Sequence, residues 1–385
     1  MIDKKKIRVG IIGQAFMGQT HANAYIKIRY TSPDGEIYPI ITAVSGQNPE
    51  KLQETASSFG IEKTYTDWHR LIESGEVDVI DNCGPDPLHF EVVMAALKAG
   101  LPIISEKPLA VTLDECREIA EAAKASQAIH MTCFNYRFLP AVQLAKDIIA
   151  SGRLGDIYHV RARYYQSPGM SPETPADNVW YFRENRVGIL QGLGSHIIDL
   201  MHHLAGDITQ VSALVKNFTP ERRMKDGTLI HTDKDELTLS LLEFKSGAVG
   251  TLEASGISGG HKNRNGFEIF GTKGTLNFDL EELNYLDVFL PEEQSPDVSG
   301  FTRVSVTEPF HPLRSRILPR GHIQGWEYGH VFALEHFLSC VIKNRTVQPE
   351  GADLIDGYRV QRVMEAMKLS SIAGRKIDID KELKW

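Results

Sequence analysis

The 385-residue chain is 42% hydrophobic, enough for one large or two ordinary domains with real cores, and its formal net charge of -8 argues against a general affinity for nucleic acid or anionic membrane. No apolar run approaches the roughly 18 residues of a membrane span, and "IRVGIIG" behind the N-terminal lysines is too short for a signal peptide. Cys83, Cys116, Cys133 and Cys340 show no CxxC pairing, so buried reduced thiols in a cytoplasmic protein fit them best.

The first third alternates strands and helices. "KIRVGIIG" (6–13) is an apolar, β-branched run ending in glycine and predicts a buried strand. A helix through Tyr25 follows, then a second strand at 38–46. Asn48-Pro49-Glu50 supplies an N-cap, a first-turn proline and an acid at the positive end of the next helix. Strands at 77–84, 101–105 and 128–134 are separated by helices near 87–99 and 113–127. Continuously apolar strands with short connections predict a parallel sheet covered on both faces, a doubly wound α/β domain over residues 1–134.

From about residue 135 the pattern changes. Segments 156–166, 208–218, 235–244, 247–255, 267–271, 274–280 and 286–290 alternate polar and apolar residues. Period-two alternation predicts an α+β domain, 135–385, built on a large and mostly antiparallel sheet. Pro168–Asn178 and Pro291–Gly325 read as long, proline-rich loops of the kind that carry function. Helices near 327–343 and 352–371 close the chain, in a position to pack back on the first domain.

The chemistry begins at "GIIGQAFMGQTHA" (10–22), where the first strand becomes the first helix. Gly13-x-Ala15-x-x-Gly18 is a dinucleotide fingerprint with alanine at its middle position. Gly13 permits the tight turn, and Gly18 the close helix–strand contact. Ala15, with Phe16 and Met17, lies where the backbone approaches a pyrophosphate resting on the helix N-terminus. The second strand ends in Ser45-Gly46-Gln47, with neither an acid for a ribose 2′-hydroxyl nor an arginine for a 2′-phosphate. Cofactor choice therefore stays open, with NAD mildly favoured and NADP possible.

"GxAxxGxxHAxxY" at 13–25, "EKP" at 106–108, "FNYR" at 134–137 and "GSHIID" at 194–199 together resemble the glucose–fructose oxidoreductase and inositol dehydrogenase (Gfo/Idh/MocA) family over essentially the whole chain. The resemblance implies a Rossmann domain followed by a sheet domain, and an NAD(P)-dependent enzyme that oxidises a hydroxyl of a sugar, a cyclitol or a derivative. A glycosidase using transient oxidation, and a non-catalytic dinucleotide-binding protein, are the alternatives. It further implies that Pro85, Asp86 and His89 line the cofactor, with Asp86 where asparagine is common. Glu106 and Lys107 would lie at the cofactor and the substrate hydroxyl, and Asn135, Tyr136 and Arg137 would face substrate and cofactor. His196 would be the catalytic histidine. The family's aspartate four residues before that histidine is here Gly192, in "QGLGSH". The loss of this acid has three readings: a more positive pocket that accepts anionic substrates, room for a bulkier substrate, or Asp199 or Gln191 standing in from nearby.

A lysine just past the end of a parallel strand sits where open α/β sheets bind ligands. In a dry pocket beside a cationic ring Lys107 can take a hydroxyl proton or polarise the oxygen. An ion pair at a strand end is the plainer reading. His196, Asp199 and His203 fall on one helical face. A proton relay, simple packing and a metal site are the three readings of that face, the last disfavoured by spacing, and no metal is expected. Trp180 and Arg183 in "NVWYFREN" are candidates to wall a sugar pocket, since aromatic faces stack on C–H faces and arginine donates to hydroxyls. Residues 311–330, with His322, Gln324 and Trp326, are another candidate wall. Arg314, Arg316 and Arg320 in that loop would suit an anionic group or a solvated surface. The expected partner is a small carbohydrate, with no nucleic acid or membrane, in a homodimer or homotetramer by analogy with the fold.

Overall fold

The computed structural model describes residues 5–31, 36–183, 185–315 and 317–384. Internal contacts divide the chain into two compact units, residues 1–139 with 313–358 and residues 140–312 with 359–385.

The first unit begins β1 (Lys5–Ile12), α1 (Phe16–Thr31), β2 (Ile37–Ser45), α2 (Pro49–Phe59), β3 (Lys63–Tyr65), α3 (Trp68–Ile72), β4 (Val79–Asn82), α4 (His89–Lys98), β5 (Ile103–Ser105), α5 (Leu113–Ala125) and β6 (His130–Thr132). Its six strands are all parallel, in the order β3-β2-β1-β4-β5-β6. The order reverses between β1 and β4, which makes their carboxyl ends the switch point of the sheet. Val9, Val79, Ile80, Ile103, Ile104 and Met131 are fully buried. That is why these strands read as unbroken apolar runs rather than alternating ones. Asn48 caps α2 by accepting from the Lys51 amide at 3.0 Å, as its sequence predicts. Short β3 and α3, in "KTYTDWHRLI", had no periodic signature long enough to announce them.

The second unit contains α6 (Pro140–Ala150), β7 (Ile157–Tyr165), α7 (Ser195–Ala205), β8 (Ile208–Lys216), β9 (Glu221–Arg223), β10 (Leu229–His231), β11 (Leu237–Phe244), β12 (Val249–Ser255), β13 (Arg264–Gly271), β14 (Gly274–Asp279), β15 (Tyr285–Phe289) and β16 (Thr302–Ser305). The chain then adds α8 (Tyr328–Lys343) to the first unit. α9 (Leu354–Ala373) begins in the first unit and ends in the second, and β17 (Ile377–Asp378) and α10 (Ile379–Glu382) close the second. Nine strands form one sheet, β16-β15-β14-β13-β7-β12-β11-β8-β17. Every pairing is antiparallel except β7 with β12, which is parallel and lies near the middle. The stretch 291–325, expected to be all loop, contributes β16 to the sheet edge. Among the described residues no helix is long and apolar enough to cross a membrane.

In the first unit α8 packs on α1. Together they cover one sheet face through Tyr25, Ile28, Val331, Phe332 and Phe337, against Val9, Ile11, Ile104 and Met131. The other face carries α3, α4 and α5.

In the second unit the loop 168–178 is pinned from below. Arg222 and Glu236 are both fully buried and paired at 2.9 Å. The same guanidinium donates to the carbonyls of Gly169 and Ser171, while Glu236 accepts from the amides of Phe218 and Thr219. Arg222→Leu leaves Glu236 as an unpaired buried charge and should cost about 3–5 kcal/mol. An unfolding free energy, from urea titration, lowered by less than a third of that would show the pair is dispensable.

Candidate active site

In the first unit, β1 hands over to α1 through a turn only glycine can make. Gly13 has φ +120, and a Cβ there would lie 2.3 Å from the Cys83 carbonyl oxygen. A Cβ on Gly18 would lie 1.9 Å from the Gly13 carbonyl oxygen. Bare backbone is therefore brought against bare backbone where a pyrophosphate would rest. The first turn of α1 holds no acid to repel it. The residues present fit a dinucleotide. Ala15 and Phe16 are exposed at the start of α1, Met17 is partly buried, and the Phe16 ring stacks on Trp326 with centroids 6.1 Å apart. At the tip of β2 Ser45 is buried and its carbonyl accepts from the Gly13 amide at 2.8 Å, while Gly46 leaves space filled by the Gln14 side chain.

Past β4, Pro85 is exposed and Asp86 is buried at the start of a short turn. His89 is 1% exposed. Its ring nitrogens lie 2.6 Å from the Pro108 carbonyl and 3.1 Å from the Gly84 carbonyl. The ring thereby ties the ends of β4 and β5 together behind Lys107, which is a positioning task.

Lys107 is partly exposed at the carboxyl end of β5, and Glu106 beside it is buried. The Glu106 side chain points to the face covered by α1 and α8. There the fully buried His21 ring has Nδ1 2.9 Å from Asp81 and Nε2 3.2 Å from Glu106. Burial opposes a charge on His21, but the Asp81 carboxylate, chiefly by its charge, holds the imidazole well above its ordinary range. Burial likewise opposes an ionised Glu106, and the hydrogen bond and charge of His21 hold it well below the usual carboxylate range. Burial, reinforced by the His21 charge, pushes the neighbouring His330 down to about 3. Burial and the Glu106 charge push the Cys133 thiol up to about 12.

Asn135, Tyr136 and Arg137 follow β6 and are all buried. The Asn135 side-chain nitrogen has no hydrogen-bond partner, an unused donor at the strand end. The Tyr136 hydroxyl accepts from the Trp326 indole at 3.2 Å. Arg137 is 4% exposed and lies 3.7 Å from Asp356 at the start of α9. His322 is exposed, with its Nδ1 3.2 Å from the Arg320 carbonyl. Arg314 is half-buried and Arg320 exposed; Arg316 lies outside the described residues.

In the second unit, a wide π-type turn at Leu190–Gly194 leads into α7 and is anchored where the Leu190 amide donates to Asp235 at 2.7 Å. His196, Asp199 and His203 are all buried on α7. Their donor atoms form no metal-sized group among the described residues. The His196 ring lies 6.0 Å from Tyr164. The Tyr164 hydroxyl and the Gln166 amide both donate to Asn263, and Gln166 in turn accepts from the half-buried Trp180 indole at 2.9 Å. Gly192 packs against that indole: a Cβ there would lie 2.4 Å from Trp180 Cη2. Arg183 is exposed and donates to the Asp177 carbonyl.

The sequence reading passed over His21, Asp81, His330, Gln166 and Asn263. A signal existed for the first two. An aspartate inside the buried strand "VIDN" needs a buried partner, and His21 stands in a quoted motif without a task assigned.

A parallel Rossmann sheet with this glycine turn, followed by a mixed sheet with a histidine-bearing helix, defines a dinucleotide-dependent oxidoreductase. Residues 7–134 match the oxidoreductase family with an NAD-binding Rossmann fold, and residues 142–277 match the GFO/IDH/MocA C-terminal domain. The chain belongs to the Gfo/Idh/MocA family and is an NAD-dependent oxidoreductase. It is 32% identical to levoglucosan dehydrogenase of Pseudarthrobacter phenanthrenivorans over 97% of this chain and 98% of that one. It is 28% identical to myo-inositol 2-dehydrogenase of Thermotoga maritima over 75% of this chain and 79% of that one. Among solved structures, levoglucosan dehydrogenase in complex with NADH superposes with a TM-score of 0.92 at 32% identity, covering 97% of this chain and 99% of that one.

Proposed function

We propose that the chain oxidises a secondary hydroxyl of a sugar, cyclitol or sugar derivative, with Lys107 and His196 managing the proton. The observation that carries this reading is Lys107, partly exposed at the end of β5 and backed by the buried Glu106, in the same unit as a turn that admits only glycine. When bound, NAD supplies the acceptor for the hydride that leaves the carbinol carbon. Gly13, Ala15, Phe16, Met17 and Gly18 would hold its pyrophosphate, with Ser45 and Gly46 at the ribose. Pro85, Asp86, Glu106, Lys107 and Asn135 would lie along its reactive end, with His89 behind them.

The hydroxyl proton must leave as the C–H bond breaks. Lys107 would take or polarise that proton, with His196 as the second acid–base group. Tyr136 and Trp326 in the first unit, and Trp180, Asp199 and Arg183 in the second, would orient the sugar, with His322 as an outer contact. A 1,6-anhydro sugar is the first substrate to try, because structures of levoglucosan dehydrogenase hold NADH with levoglucosan or with L-sorbose.

A screen of anhydro sugars, aldoses, cyclitols and glycosides with both dinucleotides tests this reading. Net accumulation of NADH with one of the first three supports it. Aglycone release without net NADH would make the enzyme a redox glycosidase, and cofactor binding with no turnover would make it a sensor. In the same assays NAD should bind more tightly than NADP by about tenfold, near 1.4 kcal/mol, since the Ser45-Gly46-Gln47 tip carries neither a cation nor an excluding acid. Tighter NADP binding in a titration would overturn that preference. The outer face of the second unit's sheet exposes Leu214, Leu239, Leu241 and Val249, which favours a homodimer or homotetramer. Light scattering reads that directly.

A further inference from the structure

The register of the first sheet sets Asn82, Ser105 and Thr132 side by side on β4, β5 and β6. The next residue along each strand is Cys83, Glu106 and Cys133, so a thiol, a carboxylate and a thiol form one rung on the face covered by α1 and α8. His21 comes down on that rung from α1, and His330 from α8. One donor atom each from His21, Glu106, Cys133 and His330 all lie within 4.8 Å of one another, and all four residues are buried. The His21 Nε2 atom is 3.2 Å from Glu106 and 3.9 Å from the Cys133 sulfur. A tetrahedral zinc ion with Zn–N near 2.0 Å and Zn–S near 2.3 Å needs ligand–ligand separations of roughly 3.3–3.7 Å, so closure asks for shifts of about 1 Å or less.

A second observation points to a missing occupant. His330 is 2% exposed, yet neither of its ring nitrogens has a hydrogen-bond partner. Buried polar atoms left unused in this way are uncommon. Asp81, by contrast, is placed as an outer partner: it holds His21 Nδ1 at 2.9 Å, which leaves Nε2 facing the cluster. A carboxylate behind a ligating histidine is the usual support for such a ligand.

We infer that His21, Glu106, Cys133 and His330 form a closed four-ligand site for a divalent transition metal, zinc by its mixture of two imidazoles, a thiolate and a carboxylate. Cys133 would bind as the thiolate, so metal uptake releases its proton. The occupied site ties α1 and α8 to the ends of β5 and β6 within the first unit, directly behind Lys107.

The test uses the full chain purified without a metal-chelating resin. Elemental analysis should find about one zinc per chain. After removal of that zinc, added Co²⁺ should give the visible bands of a tetrahedral site and a near-ultraviolet thiolate-to-cobalt band. Cys133→Ser should abolish the thiolate band, His330→Ala should weaken Co²⁺ binding, and Asp81→Asn should weaken it about 10–100-fold. Less than about a tenth of an equivalent of metal in the wild type, with no cobalt spectrum, overturns the site. So does a full cobalt spectrum that Cys133→Ser and His330→Ala leave unchanged, because the metal then sits elsewhere.

Discussion

Lys107→Ala should lower turnover at least ~100-fold while dinucleotide binding survives. The two effects separate because of where the residue sits. The pyrophosphate cradle is made by backbone at Gly13 and Gly18, whose geometry no lysine side chain supports. The proposed proton task, by contrast, falls to the partly exposed Lys107 side chain at the end of β5, with the buried Glu106 behind it. The backbone of residues 106–108 is independently fixed, since the Glu106 amide donates to Asn82 and the Pro108 carbonyl is held by His89. Truncating the side chain should therefore leave the strand end in place. Lys107→Arg restores a charge without a group that gives up its proton, and should leave the rate as low as in Lys107→Ala. Retention of more than about a tenth of wild-type turnover, with chemistry rate-limiting, would remove Lys107 from the proton path.

Gly192→Asp carries the second large effect. The electrostatic reading of this glycine has it making a pocket more positive; the packing gives a different reason for it. The Trp180 indole occupies the space into which any side chain at 192 would project, at 2.4 Å from an ideal Cβ. Trp180 is not a floppy neighbour, because Gln166 holds its ring nitrogen and Asn263 holds Gln166. An aspartate must displace the ring, costing about 1–3 kcal/mol of stability by overpacking. It should also cost about 10–100-fold in kcat/KM by moving a proposed sugar platform. The loss should fall equally on neutral and anionic substrates. Trp180→Ala makes the space, so the double variant should be more stable than the two single losses added together, with coupling of about 0.5–3 kcal/mol. A shift of preference from anionic to neutral substrates in Gly192→Asp, with stability unchanged, would reinstate the electrostatic account.

These two residues show what a sequence can and cannot reveal. Lys107 was visible because its meaning is local: a charged residue past an apolar strand needs no partner to be noticed. Gly192 was visible as an irregularity four residues before His196, but its reason lies in Trp180, twelve positions upstream and across a turn. The same division runs through the fold. Strands β1, β2 and β4 to β6 were legible because both their faces are buried, and the alternation of β7, β8 and β11 to β15 was equally plain. The parallel pairing of β7 with β12 was not, since periodicity gives a strand its faces but not its neighbours. β16 is only four residues, "TRVS", inside a proline-rich stretch. The cluster around His21 joins residues from five elements, and no single segment carries enough of it to be read.

The interleaving of the two units bears on how the chain is made. α8, which covers one face of the first sheet, is synthesised only after nearly all of the second unit. β17, which completes the second sheet beside β8, comes later still. A nascent chain stopped near residue 312 thus holds six paired strands with Ile104, Met131 and their neighbours lacking the helix that seals them. Such an intermediate offers apolar surface to chaperones for as long as translation lasts. Removing residues 313–385 should leave the N-terminal unit aggregation-prone rather than merely trimmed.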